Sequence, residues 1–310
     1  LKMQERMGKI VQKVLFQCLG YQQGERVLIV TDDELFKTAQ IFYKEIKKSG
    51  IEVSLISFPP RSRHGEEPPP EVGSALSATD IAFLITSRSL SHTQARQQAS
   101  QKYGVRIASL PGITMEVLRR SLDVDYVRLK KETQKIVERW RGKEKILVKT
   151  ERGSELIFSI KGRVPFADNG VYIKKGAFGN LPAGEVCIAP REGTAEGLLI
   201  IDASFAGMGR LKRPIELSIK NGYVTKISDG RLQKILANLG KSALNIAEFG
   251  IGLNPKAQVT GNVLEDEKAI GTAHIALGNN LSFGGKVNAK CHLDGVFFKP
   301  LVWVDGKRLI

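Results

Sequence analysis

Six side chains in the C-terminal half of the sequence, all of types that hold metal ions, stand out by their setting: Glu185, Glu248, Glu267, His274, His292 and Asp294. In "CHLDGV" (291–296) a strand would project His292 and Asp294 from one face, and Cys291 and Leu293 from the other. Such a pair is either a hydrogen-bonded core pair or two ligands of one ion. Glu185 follows the Pro-Ala-Gly turn of "GNLPAGEVCIAP", which can aim a carboxylate into a cavity. Glu248 lies among Ile246, Ala247, Phe249 and Ile251, where burial is costly unless the carboxylate is paired or metal-bound. "LEDEKAIGTAHIALG" (264–278) adds Glu267 and His274. Taken singly, each has an ordinary reading, as a salt-bridged acid or a hydrogen-bonded core histidine.

Taken together, four carboxylates and two imidazoles suit two divalent cations about 3.5–4 Å apart, and exceed the four ligands of a structural zinc site. Such a pair eases deprotonation of a bridging water and polarises a carbonyl. These residue types do not choose among Zn, Co, Mn and Mg. No general base stands out, because every carboxylate named is itself a candidate ligand. His274, His292 and Asp294 alone make a second chemistry, the two-histidine, one-carboxylate set of non-haem Fe(II) oxygenases.

The elements that must position these residues fall into two grammars. Over residues 1–125, short apolar runs such as "RVLIV" (26–30), "EVSLISF" (52–58), "DIAFLIT" (80–86) and "VRIASL" (105–110) alternate with helical patterns, among them 32–50 and 90–104. That alternation predicts an α/β domain with a mostly parallel sheet. No glycine follows "RVLIV", which argues against a dinucleotide or phosphate loop there. "PPRSRHGEEPPPEVG" (59–73) reads as a loop that leaves His64 exposed, and "TSRSLSHT" (86–93) offers His92 as a second-rank site residue or simply a helix cap. A long helical pattern, 126–144, joins the halves. From 145 to 310 short strands punctuated by "RG", "KG" and "NG" predict a β-rich α+β domain carrying the metal site, with one helix near 231–240 and a hairpin at Asn221-Gly222.

The 310 residues carry a net charge of +15, but the basic residues are spread along the chain without interleaved aromatics, which argues against a nucleic-acid partner. No apolar run is long enough to span a membrane, and the N-terminal stretch reads as an amphipathic helix rather than a signal peptide. Three widely spaced cysteines, 18, 187 and 291, exclude a disulfide framework and point to the cytoplasm.

The segments "GNLPAGEV", "AEFGIGLNPKAQVTGNVLEDEKAIGTAHIALGNN", "SFGGKVNAKCHLDGV" and "DGKRLI" resemble the thermophilic metallo-aminopeptidases, the leucyl aminopeptidase T group (peptidase family M29). The likeness extends loosely to "TSRSLSHTQAR" and "ASLPGIT". It implies a two-metal aminopeptidase acting on peptides as a homodimer, with Glu185, Glu248 (bridging both ions), Glu267, His274, His292 and Asp294 as ligands. The Glu267–His274 spacing is longer than in that family, so Glu265 or Asp266 competes for the ligand role. Seven residues after His274, where those enzymes carry a tyrosine, stands Leu281, with Phe283 the nearest aromatic. That departure leaves room for two other readings: a ring-cleaving dioxygenase, which the same fold family also hosts, and a non-catalytic binding protein.

Overall fold

The computed structural model describes residues 2–310. Two compact units make up the chain: one runs up to Val127 and includes Asp168–Ala183, the other comprises Arg128–Ala167 and Gly184–Ile310.

In the first unit, β1 (Val27–Asp32), β2 (Val53–Phe58), β3 (Ile81–Ile85) and β4 (Arg106–Ser109) form a parallel sheet in the order β2-β1-β3-β4. Every residue of β1, β3 and β4 is buried, the pattern of strands covered on both faces. Leu28, Val30, Ala82 and Leu84 pack with Val72, Leu76 and Ala99 of the helices Pro70–Ser77 and Gln94–Gln101. Phe83 points the other way and meets Phe42 of the helix Phe36–Lys48, ring centroids 5.4 Å apart. Thr93 and Thr114 cap the helices that follow them by accepting from Arg96 N and Val117 N, so the Ser/Thr cluster before residue 94 does include a cap. His64 and His92 are both exposed.

The chain leaves this unit and returns to it. Within the β-rich stretch of sequence, β8 (Phe178–Asn180) pairs in parallel with β4, Ile107 opposite Phe178, as the fifth strand of the first sheet. Three residues with partners about 70 positions upstream leave no local periodicity to read.

The second unit holds two antiparallel sheets of seven strands. One runs β14 (Tyr223–Ile227), β13 (Ile215–Lys220), β10 (Glu196–Ile201), β6 (Glu155–Ser159), β5 (Lys145–Lys149), β18 (Leu301–Val304), β19 (Lys307–Arg308). The other runs β12 (Gly209–Arg210), β11 (Ser204–Phe205), β17 (His292–Phe298), β16 (Thr272–Gly278), β15 (Ile246–Gly252), β9 (Glu185–Ile188), β7 (Phe166–Asp168). Asn221 and Gly222 turn β13 into β14 with φ of 51° and 78°, as a type I′ hairpin requires. The helix Tyr126–Trp140, expected as a link, is anchored in this unit by Trp140, which is fully buried 5.7 Å from the Phe249 ring. A parallel α/β sheet followed by a β-rich part is the fold class read from the sequence.

Candidate metal centre

Strand alternation divides the second sheet of this unit into two chemically opposite faces. Val186 and Ile188 of β9, Phe249 and Ile251 of β15, Ala273, Ile275 and Leu277 of β16, and Phe297 of β17 enter the hydrophobic core. The residues between them therefore point away from it: Glu185, Glu248, His274, His292 and Asp294. Cross-strand pairing brings them together. Gly250 stands opposite both Cys187 and His274, Glu248 opposite Ala276, Ala276 opposite Asp294, and Gly278 opposite His292. A register shift between Ile246 and Glu248 sets that carboxylate in place. Gly250 makes the room: a Cβ there would lie 2.1 Å from His274 Cε1.

Glu248 spans the two imidazoles, with Oε1 3.4 Å from His274 Nε2 and Oε2 3.0 Å from His292 Nε2. Asp294 Oδ1 is 3.5 Å from His292 Nε2, and Glu185 Oε2 is 3.6 Å from His274 Nε2. Three overlapping ligand sets result, each with its donor atoms within 4.8 Å of one another: Glu185–Glu248–His274, Glu248–His292–Asp294, and Glu267–His274–Asp294. All six residues named from the sequence meet in one cluster. Glu265 and Asp266 turn away from it to brace the loop before them, accepting from Gln258 N and from Thr260 N and Gly261 N respectively.

Several partners had no signal in the sequence. Lys268 is 2% exposed, and its ammonium donates to Glu185 Oε1 at 2.5 Å and Glu267 Oε1 at 2.6 Å. A lysine at the end of "EDEK" reads as surface; only the fold turns it inward. His292 Nδ1 lies 2.7 Å from the Asn279 carbonyl, which fixes the ring and leaves Nε2 for the cluster. Phe283 stacks on His292, centroids 5.4 Å apart, whereas Leu281, at the aminopeptidase tyrosine position, is exposed.

The charges are in conflict unless a cation joins them. Burial pulls His274 down, but its hydrogen bond to Glu248 and the nearby Glu185 and Glu267 outweigh that and raise it to about 9. His292 is driven well up against burial by Asp294 and Glu248. Burial would raise Glu248, yet the two imidazoles hold it far below the usual carboxylate range. Burial lifts Glu267 to about 8, with Lys268 opposing. The imidazoles thus hold the protons a divalent cation would displace. Glu185 Oε2 and His274 Nδ1 are buried with no hydrogen-bond partner among the described residues. The donor set and these unsatisfied atoms fit a metal ion.

Fold and cluster together define a protein with a buried candidate metal site on one face of an antiparallel sheet. The family model of NicX, 2,5-dihydroxypyridine 5,6-dioxygenase, matches residues 6–310, and the chain belongs to that family. A curated relative, 2,5-dihydroxypyridine 5,6-dioxygenase of Pseudomonas putida, is 26% identical over 254 residues, covering 76% of this chain and 71% of the relative. A solved structure of the dihydroxypyridine dioxygenase from Pseudomonas putida KT2440 superposes with a TM-score of 0.83 at 20% identity, over 99% of this chain and 96% of that one. The wild-type AmpT structure from Thermus thermophilus superposes with a TM-score of 0.74 at 13% identity, over 98% and 97%.

These findings overturn the aminopeptidase expectation: family, hydrolase activity and peptide substrate alike. AmpT shares the fold, and the family match across nearly the whole chain is to a dioxygenase. The physical reason is that the quoted segments report the strands that bear the cluster and the turns between them. Imidazoles and carboxylates on one sheet face serve hydrolysis and oxygen chemistry equally, so the motifs carry the architecture and not the reaction. Among the described residues no helix is long and apolar enough to cross a membrane.

Proposed function

We propose that this chain is a ring-cleaving dioxygenase of dihydroxypyridines that uses one Fe(II), the alternative chemistry of the His274, His292 and Asp294 set. The observation that carries this reading is the family match over residues 6–310. The geometry supports it: His292 and His274 each stand in a donor set with Asp294 on one face of the sheet, and two imidazoles with one carboxylate are the ligand type of non-haem Fe(II) oxygenases. Fe(II), when bound there, would supply the redox chemistry that lets dioxygen react with an electron-rich ring.

The protein's own residues prepare that step. The Asn279 carbonyl holds the His292 ring by Nδ1, and Phe283 covers its face, so Nε2 keeps one direction. Glu248 lies within 3.4 Å of both imidazoles and balances positive charge between them. The apolar core behind the sheet excludes water from the rear of the cluster, which strengthens each electrostatic contact. A dihydroxypyridine offers hydroxyl oxygens, and the Glu185 carboxylate beside Lys268 could accept a proton from one. The proposal keeps the cytoplasm as its compartment, supported by free Cys18, Cys187 and Cys291.

The test is oxygen uptake by anaerobically Fe(II)-loaded protein given 2,5-dihydroxypyridine, followed alongside the loss of the ring's ultraviolet absorbance. The expected result is one dioxygen consumed per ring, abolished in His274→Ala and His292→Ala. Folded, iron-loaded protein that consumes neither reactant would overturn the reading.

A further inference from the structure

Six candidate ligands are more than one ion needs. Two cations sharing the Glu248 carboxylate would divide the cluster. One would lie toward His292 and Asp294, the other toward Glu185 and Glu267, with His274 between the two places, since it shares donor sets with Asp294 as well as with each of those glutamates. The second of these places already has a positive charge against it. Lys268 Nζ donates to Glu185 at 2.5 Å and to Glu267 at 2.6 Å, committing one oxygen of each. The other oxygen of Glu185 faces His274 Nε2 at 3.6 Å. Lys268 belongs to the segment that follows the short helix Val263–Asp266 and is buried at 2% exposure. A lysine ammonium is a compact point charge with three donors, closer in shape to a bound cation than the planar guanidinium of arginine.

We infer that Lys268 occupies the second cation position of this cluster and so limits the site to a single divalent ion. The inference rests on the single-Fe(II) reading above for its chemical meaning, but not for its test. Two carboxylates that would otherwise recruit an ion already share a cation supplied by the chain. A second divalent cation between them would meet the ammonium within a few ångströms, in an interior that screens poorly. A site holding one ion would have no second metal with which to share a bridging water.

The experiment counts ions in the full chain. Wild type, Lys268→Met and Lys268→Arg are loaded with excess Mn(II), desalted, and assayed by elemental analysis and by Mn(II) electron paramagnetic resonance. Wild type and Lys268→Arg are expected to retain one ion with an isolated-Mn(II) spectrum. Lys268→Met is expected to retain two, with the spectrum of a spin-coupled pair and a second-site affinity at least about 100-fold above any in wild type. Should Lys268→Met not fold without metal, it is expressed with Mn(II) present; recovery of a folded two-ion protein is then the expected result. Two ions in wild type, one ion in folded Lys268→Met, or no rescue of that variant by Mn(II) would each overturn the inference. Ring cleavage by wild type is scored separately. One ion without cleavage would sink the functional reading alone, and cleavage with two ions would sink this inference alone.

Discussion

Two buried polar regions of the molecule differ in how well their groups are satisfied. At the end of β1 in the first unit, Asp32 is 1% exposed and accepts from Ser87 N at 2.6 Å and Ser87 Oγ at 2.7 Å, and its other oxygen accepts from Leu35 N. This is where strand order reverses between β1 and β3, the usual ligand crevice of such sheets. Here the carboxylate spends its capacity on the protein itself, in keeping with the missing glycine loop. On the cluster-bearing face of the second unit the balance is reversed. Carboxylates crowd one another, imidazoles retain protons to offset them, and two buried atoms find no partner among the described residues. A saturated polar network holds a fold together; a buried network in surplus marks the place where something else binds.

The sharpest way to break this contrast is His292→Ala. It should abolish turnover and weaken Fe(II) binding by more than the roughly 10–100-fold of an outer-shell change. Its melting temperature without metal should stay near that of wild type; a collapse of the fold instead would show that the cluster is structural. Next, a divalent ion should stabilise wild type by about 2.7 kcal/mol at 100 times its dissociation constant, seen as a rise in melting temperature that His292→Ala lacks. Gly250→Ala places a methyl 2.1 Å from His274 Cε1 and should displace the ring, costing about 10–100-fold in metal affinity by titration calorimetry. Asp32→Ala should behave oppositely. Leaving Ser87 unpaired in a buried site should cost about 1–3 kcal/mol in urea unfolding, while metal affinity stays unchanged. The smallest effect is expected from Phe283→Ala. Loss of the ring stacked on His292 should cost about 0.5–1.5 kcal/mol of metal binding, with stability unaffected.

Much of the candidate site was legible because strand alternation is local. That His292 and Asp294 share a face follows from their spacing alone, and the structure shows them on β17 on the side away from the core. Glu248 was conspicuous as a charge in an apolar run, and it is the carboxylate both imidazoles share. The choice among Glu265, Asp266 and Glu267 was not legible, since three adjacent acids differ only in the direction a short helix gives each. Lys268 and the strand Phe178–Asn180 were invisible for a related reason: their partners lie far away in the chain.

By itself, then, the sequence determined the alternation of apolar and polar positions, the change from βαβ grammar to hairpins, and the residue types available for chemistry. Those are properties of neighbouring residues, set by backbone geometry within a few positions. The tertiary structure decided which strands lie side by side, which acid joins the cluster, and that a lysine is buried among its carboxylates. Those depend on pairings such as Gly250 with Cys187 and Gly278 with His292, which no local pattern encodes. The reaction lay beyond the motifs for a different reason: the same imidazoles and carboxylates, on the same fold, serve more than one chemistry.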